Sequence, residues 1–214
     1  TINDVLLAAA TVALGRALRR RGERPATVKA LVPVNVRGRG DAGAIGNRIS
    51  FVTVSLPVAM SDPLAVLRRV AGQMRARKAG GGAAPLEALS EVAELLPGGA
   101  RRVVARTAAR AASFNVVVSN VPGPPVELDV LGRRVNAVFP AVPFLRGHAL
   151  SIGALSYRGR LHCGVYADAA VVPDAAEVAR DLEAAFDALR VVPRGPDTPW
   201  RARAVSRRQR AAKR

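Results

Sequence analysis

Residues 113–125 read SFNVVVSNVPGPP. Phe114 to Val118 is a short, almost entirely apolar and β-branched run, the pattern of a strand covered on both faces inside a sheet. Ser119 and Asn120 are the first polar side chains after it. The next five residues, Val121-Pro122-Gly123-Pro124-Pro125, predict a stop, because proline fits neither a helix interior nor a central strand. Two hydrogen-bonding side chains at the end of a rigid strand, beside a stiff turn, suit a binding or reacting site. They equally suit a capped strand end in an ordinary core.

Upstream of that strand, Thr1 and Asp4 have capping-box spacing and open a helix with an apolar stripe of Leu7, Ala10, Leu14 and Leu18, ended by Arg19 to Gly22. Thr27 to Arg37 alternates Val28, Ala30, Val32, Val34 and Val36 against Lys29, Leu31, Pro33 and Asn35, which predicts a strand with Pro33 near an edge or a bulge. A glycine-rich loop, 38–46, leads into a second strand, Ile49 to Leu56. No Lys-Ser/Thr follows those glycines, so they are not read as a phosphate-binding loop. Ser61-Asp62-Pro63 starts a helix with Leu64, Leu67, Ala71 and Met74 on one face. Two further helices are predicted over 86–96 and 100–112, the second bearing Arg101, Arg102, Arg106 and Arg110.

Downstream, Glu127 to Val130 and Arg133 to Phe139 flank Leu131-Gly132 as a hairpin, and His148 to Tyr157 and Arg160 to Asp168 flank Arg158-Gly159 as another. A last helix opens at Pro173-Asp174 and aligns Val178, Leu182, Ala185 and Leu189. The order is helix, two strands, three helices, five strands, helix. It predicts a mixed α/β sandwich of the α+β kind, not a regular βαβ repeat.

The chain of 214 residues carries a net charge of +17. Of that, +7 lies in 191–214, where eight basic residues meet one acid in a Pro-rich, polar context that predicts an unpacked tail after a domain over 1–191. No helix-turn-helix, zinc pattern or aromatic RNA-binding stripe accompanies the charge, which argues against nucleic acid. An anionic membrane is the other partner the tail suits, with Trp200 between Pro199 and Arg201 at the interface. No apolar run approaches the ~20 residues of a membrane span, and no export signal is recognised, so a cytoplasmic chain is expected. The single cysteine, Cys163, has no disulfide partner in the chain and no zinc spacing, and reads as a small core residue; no metal site is expected. The only histidines, His148 and His162, fall in predicted strands, with His162 on the side of Tyr166 and Asp168. Neither belongs to a recognised catalytic motif.

The segments TINDVLLAA, ALVPVNVR, GNRISFVTVSLPV, SFNVVVSNVPGP and VFPAVPFLRGHALSIGALSYRGRL, followed by the final helix, resemble the C-terminal domain of bacterial wax ester synthase/diacylglycerol acyltransferases over Thr1 to Val191. The resemblance implies a chloramphenicol-acetyltransferase-like fold, in which two similar lobes enclose a tunnel. It also implies acyl transfer from acyl-coenzyme A, as cosubstrate with no bound cofactor, to a long-chain alcohol or a diacylglycerol. The family's HHxxxDG motif, which holds the general base, belongs to the N-terminal lobe and is absent here. A partner lobe is therefore implied, and the chain alone is expected to be inactive. Asn3 and Asp4 match the family's Asn-Asp motif, expected in a supporting catalytic role. Ser119, Asn120, Pro122 and Gly123 are expected at the substrate. Arg37, Asn47 and Arg48 are expected to be structural or near the coenzyme phosphates. A peripheral position at a membrane or lipid droplet fits the same resemblance.

Overall fold

The computed structural model describes residues 1–35, 49–79, 114–143 and 147–190. The predicted helices over 86–96 and 100–112, the glycine-rich loop and the basic tail lie outside them.

The first helix, α1 (Ile2–Arg20), begins with the predicted capping box. The Asp4 N–H donates to the Thr1 hydroxyl at 3.3 Å, and the Asp4 carboxylate accepts from the Thr1 hydroxyl (2.7 Å) and backbone nitrogen (2.8 Å). Arg21 and Gly22, the latter at φ +74°, turn the chain out of the helix. The apolar surface is wider than a single stripe: every residue from Leu6 to Gly15 is buried. A run of alanines lets neighbouring helices approach α1 on both sides, so it is the central helix of its layer. Gly15 belongs to the same design, since a Cβ there would meet the Val58 carbonyl oxygen at 2.4 Å.

The strands β1 (Val28–Asn35), β2 (Ile49–Leu56), β3 (Val116–Pro122), β6 (Leu150–Tyr157) and β7 (Arg160–Ala167) form one mixed sheet in the order β2-β1-β3-β6-β7. Strands β1, β3 and β6 are parallel, while the outer pairs β1–β2 and β6–β7 are antiparallel. The helices α1, α2 (Pro63–Ala79) and α3 (Ala175–Arg190) share one face. Into that layer the sheet sends Ala30, Val32, Val52, Val54, Val116, Val118 and Ile152. Each valine or isoleucine among them contributes roughly 1.5–3 kcal/mol when fully buried.

The predicted central strand is central, and Val116 to Val118 are buried on both faces. It does not stop where the prolines predict. β3 continues through Val121 and Pro122, paired with Leu155 and Ser156 of β6. The reason lies on its other side, where β1 pairs only at Ala30 and Leu31. Among the described residues the strand has one ladder beyond Val117, so a proline there removes no hydrogen bond toward β1. Pro33 has the same explanation. β1 is second in the sheet, not an edge, but Pro33 lies beyond the short pairing with β3.

Two further expectations shift. The buried stripe of α2 is Val66, Val70 and Met74, with Leu67 at its flank, rather than the Leu64, Leu67, Ala71 and Met74 row. Both hairpins form with left-handed two-residue turns, at Leu131-Gly132 and Arg158-Gly159. The first, however, is only β4 (Asp129–Val130) and β5 (Arg133–Arg134), a separate ribbon. After Val135 the chain becomes a strap across the face opposite α1, α2 and α3. Pro140 and Val142 lie over Gly153, the Pro140 carbonyl over Gly164, and the Ser151 hydroxyl donates to the Val142 carbonyl. Two glycines and a serine make the groove that the strap occupies.

Candidate functional site

Leu14, Ala17 and Leu18, near the C-terminal end of α1, line one cavity with Val28, Asn115, Val116 and Leu150, the first residues of the parallel strands or their neighbours. α1 therefore runs against β1, β3 and β6, and its N-terminus lies at the end where these strands finish. Asn3 and Asp4 thus stand at the same end of the sheet as Asn120, Pro122 and Gly123. In open α/β sheets the carboxyl ends of parallel strands are the usual place for a ligand, and a helix N-terminus adds a partial positive charge. Two cavities among the described residues, of about 370 and 310 Å³, lie at the opposite end, around Leu18, Glu23 and Pro25.

Alternation separates the two polar residues that the sequence placed side by side. Val116, Val118 and hence Asn120 and Pro122 face the helices. Ser119 faces the strap, level with Gly153, and is 8% exposed. Asn3, Asp4 and Asn120 are half-buried. Gly123 packs against β6, with its N–H 3.3 Å from the Ser156 hydroxyl. The Asp4 carboxylate is engaged by the cap. Arg37, Asn47 and Arg48 lie outside the described residues.

Neither histidine faces the helices at this end of the sheet. His148 precedes β6 instead of lying in it, and sits at the far end of β3. Its ring stacks on Phe114 at 4.0 Å, with Nε2 3.0 Å from the Phe114 carbonyl. His162 is in β7, facing the strap as its alternation predicts, with its ring edge-on to Phe139 at 5.2 Å. Among the described residues no carboxylate is hydrogen-bonded to either ring. Cys163 faces the helix layer, and burial pushes its thiol up to about 11, which leaves it an unreactive packing group. No cluster of three or more potential metal ligands occurs among the described residues.

The model of the WS/DGAT C-terminal domain matches residues 45–190. This chain belongs to that family. A Mycobacterium tuberculosis relative named "Probable diacyglycerol O-acyltransferase tgs1" is 37% identical over 193 residues, covering 88% of this chain and 42% of the relative. The "O-acyltransferase WSD" of Acinetobacter baylyi is 29% identical over 185 residues, covering 86% and 40%. Among solved structures, the wax ester synthase/diacylglycerol acyltransferase of Marinobacter aquaeolei VT8 superposes with a TM-score of 0.66 at 24% identity, covering 89% of this chain and 43% of that one. The starter condensation domain of rhizomide synthetase gives a TM-score of 0.52 at 17% identity, a likeness of fold alone. The WS/DGAT C-terminal domain thus has the chloramphenicol-acetyltransferase-like fold, and the chain spans under half the length of the relatives it matches.

Sequence reasoning missed the strap and the Gly123 contact. The spacing Gly153, Gly164 and the small Ser151, inside strands otherwise rich in large side chains, was the available signal for something crossing the sheet.

Proposed function

We propose that this chain is one lobe of an acyl-coenzyme A-dependent O-acyltransferase that esterifies a long-chain alcohol or a diacylglycerol. A lobe bearing HHxxxDG, in the same or another polypeptide, supplies the general base. The observation that carries the reading is the likeness to acyltransferases across nearly nine-tenths of this chain, 37% identical in the mycobacterial case, combined with the absence of an HHxxxDG motif from its sequence.

In the proposed reaction the acceptor hydroxyl gives its proton to the partner lobe's base as its oxygen bonds to the thioester carbon. The tetrahedral intermediate then collapses, the C–S bond breaks, and the coenzyme leaves as its thiol with a returned proton. This lobe supplies position and polarity. Asn3, beside the N-terminus of α1, and Asn120, on the same side of β3, are assigned to hold the oxygen on which negative charge develops. Asp4 fixes the helix start that presents Asn3. Pro122 and Gly123 set the turn beside the substrate, while Ser119 shapes the wall toward the strap. Arg37, Asn47 and Arg48 are assigned to the coenzyme phosphates.

The test is ester formation from an acyl-coenzyme A and a fatty alcohol, by this chain alone and by this chain joined to an HHxxxDG-bearing lobe. Activity of the joined protein only is expected. Full activity of the isolated chain would overturn the mechanism.

A further inference from the structure

The Ser156 hydroxyl is held on one side and unspent on the other. In β6, Leu150, Ile152 and Ala154 pack under the helices, so alternation turns Ser156 to the same side. It is paired with Pro122, two residues beyond the pairing of Asn120 with Ala154. Asn120 and Ser156 therefore stand diagonally on neighbouring strands, on one side of the sheet and about 8 Å apart by the spacing of residues and strands. Asn3, at the N-terminus of α1, lies at the same end. Ser156 Oγ accepts the Gly123 N–H at 3.3 Å. A serine hydroxyl also has a proton to donate, and no acceptor for it occurs among the described residues.

The other two hydroxyls of the strand differ. Ser151 donates to the Val142 carbonyl and Tyr157 to the Val135 carbonyl, so both spend their protons on backbone of this chain. Ser156 is half-buried, and the turn at Gly123 is pressed against it too closely for a side chain at 123. With one lone pair taken by that rigid N–H, the free O–H is left to point away from the turn, on the side that carries Asn120.

A neutral donor set back from the oxygen assigned to Asn120 suits a neutral acceptor rather than developing charge. The proposed substrates carry two such acceptors close to the reacting atoms. One is the ester carbonyl of a diacylglycerol, beside its free hydroxyl. The other is the amide carbonyl of the coenzyme's thiol-bearing arm. A long-chain alcohol carries none. We propose that Ser156 is a substrate-binding residue, oriented by the Gly123 N–H, whose hydroxyl donates to one of these carbonyl oxygens. The inference rests on the acyltransferase reading and adds to it a residue that tells substrates with this carbonyl from substrates without it.

The test compares the parent, Ser156→Ala and Ser156→Thr in the joined two-lobe enzyme. The acceptor is a diacylglycerol or a fatty alcohol, and the donor is an acyl-coenzyme A or the same acyl group on ethanethiol, which has no amide. Ser156→Ala should lose about tenfold in kcat/KM, mostly through KM, wherever the substrate carbonyl is present, the scale of one hydrogen bond whose partner is left unpaired. Ser156→Thr keeps the hydroxyl and suits a strand, so it should stay within about threefold of the parent. A fall confined to diacylglycerol assigns the donor to the acceptor's ester. A fall with both acceptors that disappears with the ethanethiol ester assigns it to the coenzyme's amide. A loss of equal size with every donor and acceptor would overturn the inference, because Ser156 would then only support the Gly123 turn. Unchanged kinetics in Ser156→Ala would overturn it too, as would a loss that Ser156→Thr does not restore. A joined parent that forms no ester from either acceptor would overturn the acyltransferase reading and this inference with it, an outcome distinct from an active parent indifferent to Ser156.

Discussion

A Cβ built on Gly123 would stand 2.0 Å from the carbonyl oxygen of Ser156 and 2.7 Å from Leu155 Cδ2. The turn after β3 is pressed onto the end of β6, and the obstacle is backbone that no rotamer change can move. Gly123→Ala should therefore destabilise the chain by about 1–3 kcal/mol, seen as a lower urea midpoint with an unchanged slope. Gly132→Ala is the control for glycine loss without a clash. Gly132 has no neighbour within 4 Å of a built Cβ, and only its left-handed φ of +73° opposes a side chain, so about 1 kcal/mol is expected. A Gly123→Ala protein as stable as the parent would contradict the close packing.

Tyr157→Phe isolates the base of the hairpin. The hydroxyl is shared between the Leu128 N–H and the Val135 carbonyl in a buried setting. Its removal should cost about 1–3 kcal/mol, because two polar groups lose their partner together. Amide exchange should speed up at Leu128 while staying slow at Val118, in the middle of the sheet. Uniform acceleration would mean that the hydroxyl supports the whole fold and not the hairpin.

Local signals in the sequence located most elements, since each rests on neighbours in the chain. The Thr1–Asp4 box, the Pro63 helix start and the Leu131-Gly132 and Arg158-Gly159 turns are all where their residues place them. What the sequence hid depends on partners distant in the chain. The prolines after Asn120 look like a stop until the pairing of β1 with β3 is seen to end at Val117 among the described residues. Ser119 and Asn120 look like a pair until the strand is known to continue, at which point alternation divides them. The strap over Gly153 and Gly164 has no periodicity of its own, so only the missing side chains beneath it could have revealed it.

The ion pairs joining α1 to α3 give a pH dependence of known sign. A hydrogen bond from Arg21, with further attraction from Arg20, holds the Asp174 carboxyl below the usual carboxylate range. A depressed folded-state pKa means that the stabilisation is complete above about pH 4, the ordinary value, and is lost as the pH falls through the lowered one. These groups are partly exposed, so the contribution should be about 0–1 kcal/mol. Asp174→Asn should melt slightly below the parent at pH 6, and the two curves should converge toward pH 3. A gap that widened on acidification would reverse the assignment.

Because Ser119 and Asn120 face opposite sides of β3, their substitutions should separate in the joined two-lobe enzyme. Asn120→Ala and Asn3→Ala each remove an amide from the α1 side of the sheet, where the developing charge is assigned. Each should lower kcat for ester formation by about 10²–10³-fold, the scale of one lost hydrogen bond to a transition-state oxygen. Ser119→Ala removes a hydroxyl facing the strap. It should leave kcat within about threefold while altering the preference for acyl length, since a change of one methylene in an apolar wall is worth about 1–3 kcal/mol. Arg69→Ala, on the exposed side of α2, should change neither. An Asn3 variant no worse than the Arg69 variant would take Asn3 out of the site. A Ser119 variant as impaired in kcat as the Asn120 variant would move the reacting oxygen to the strap side of the sheet.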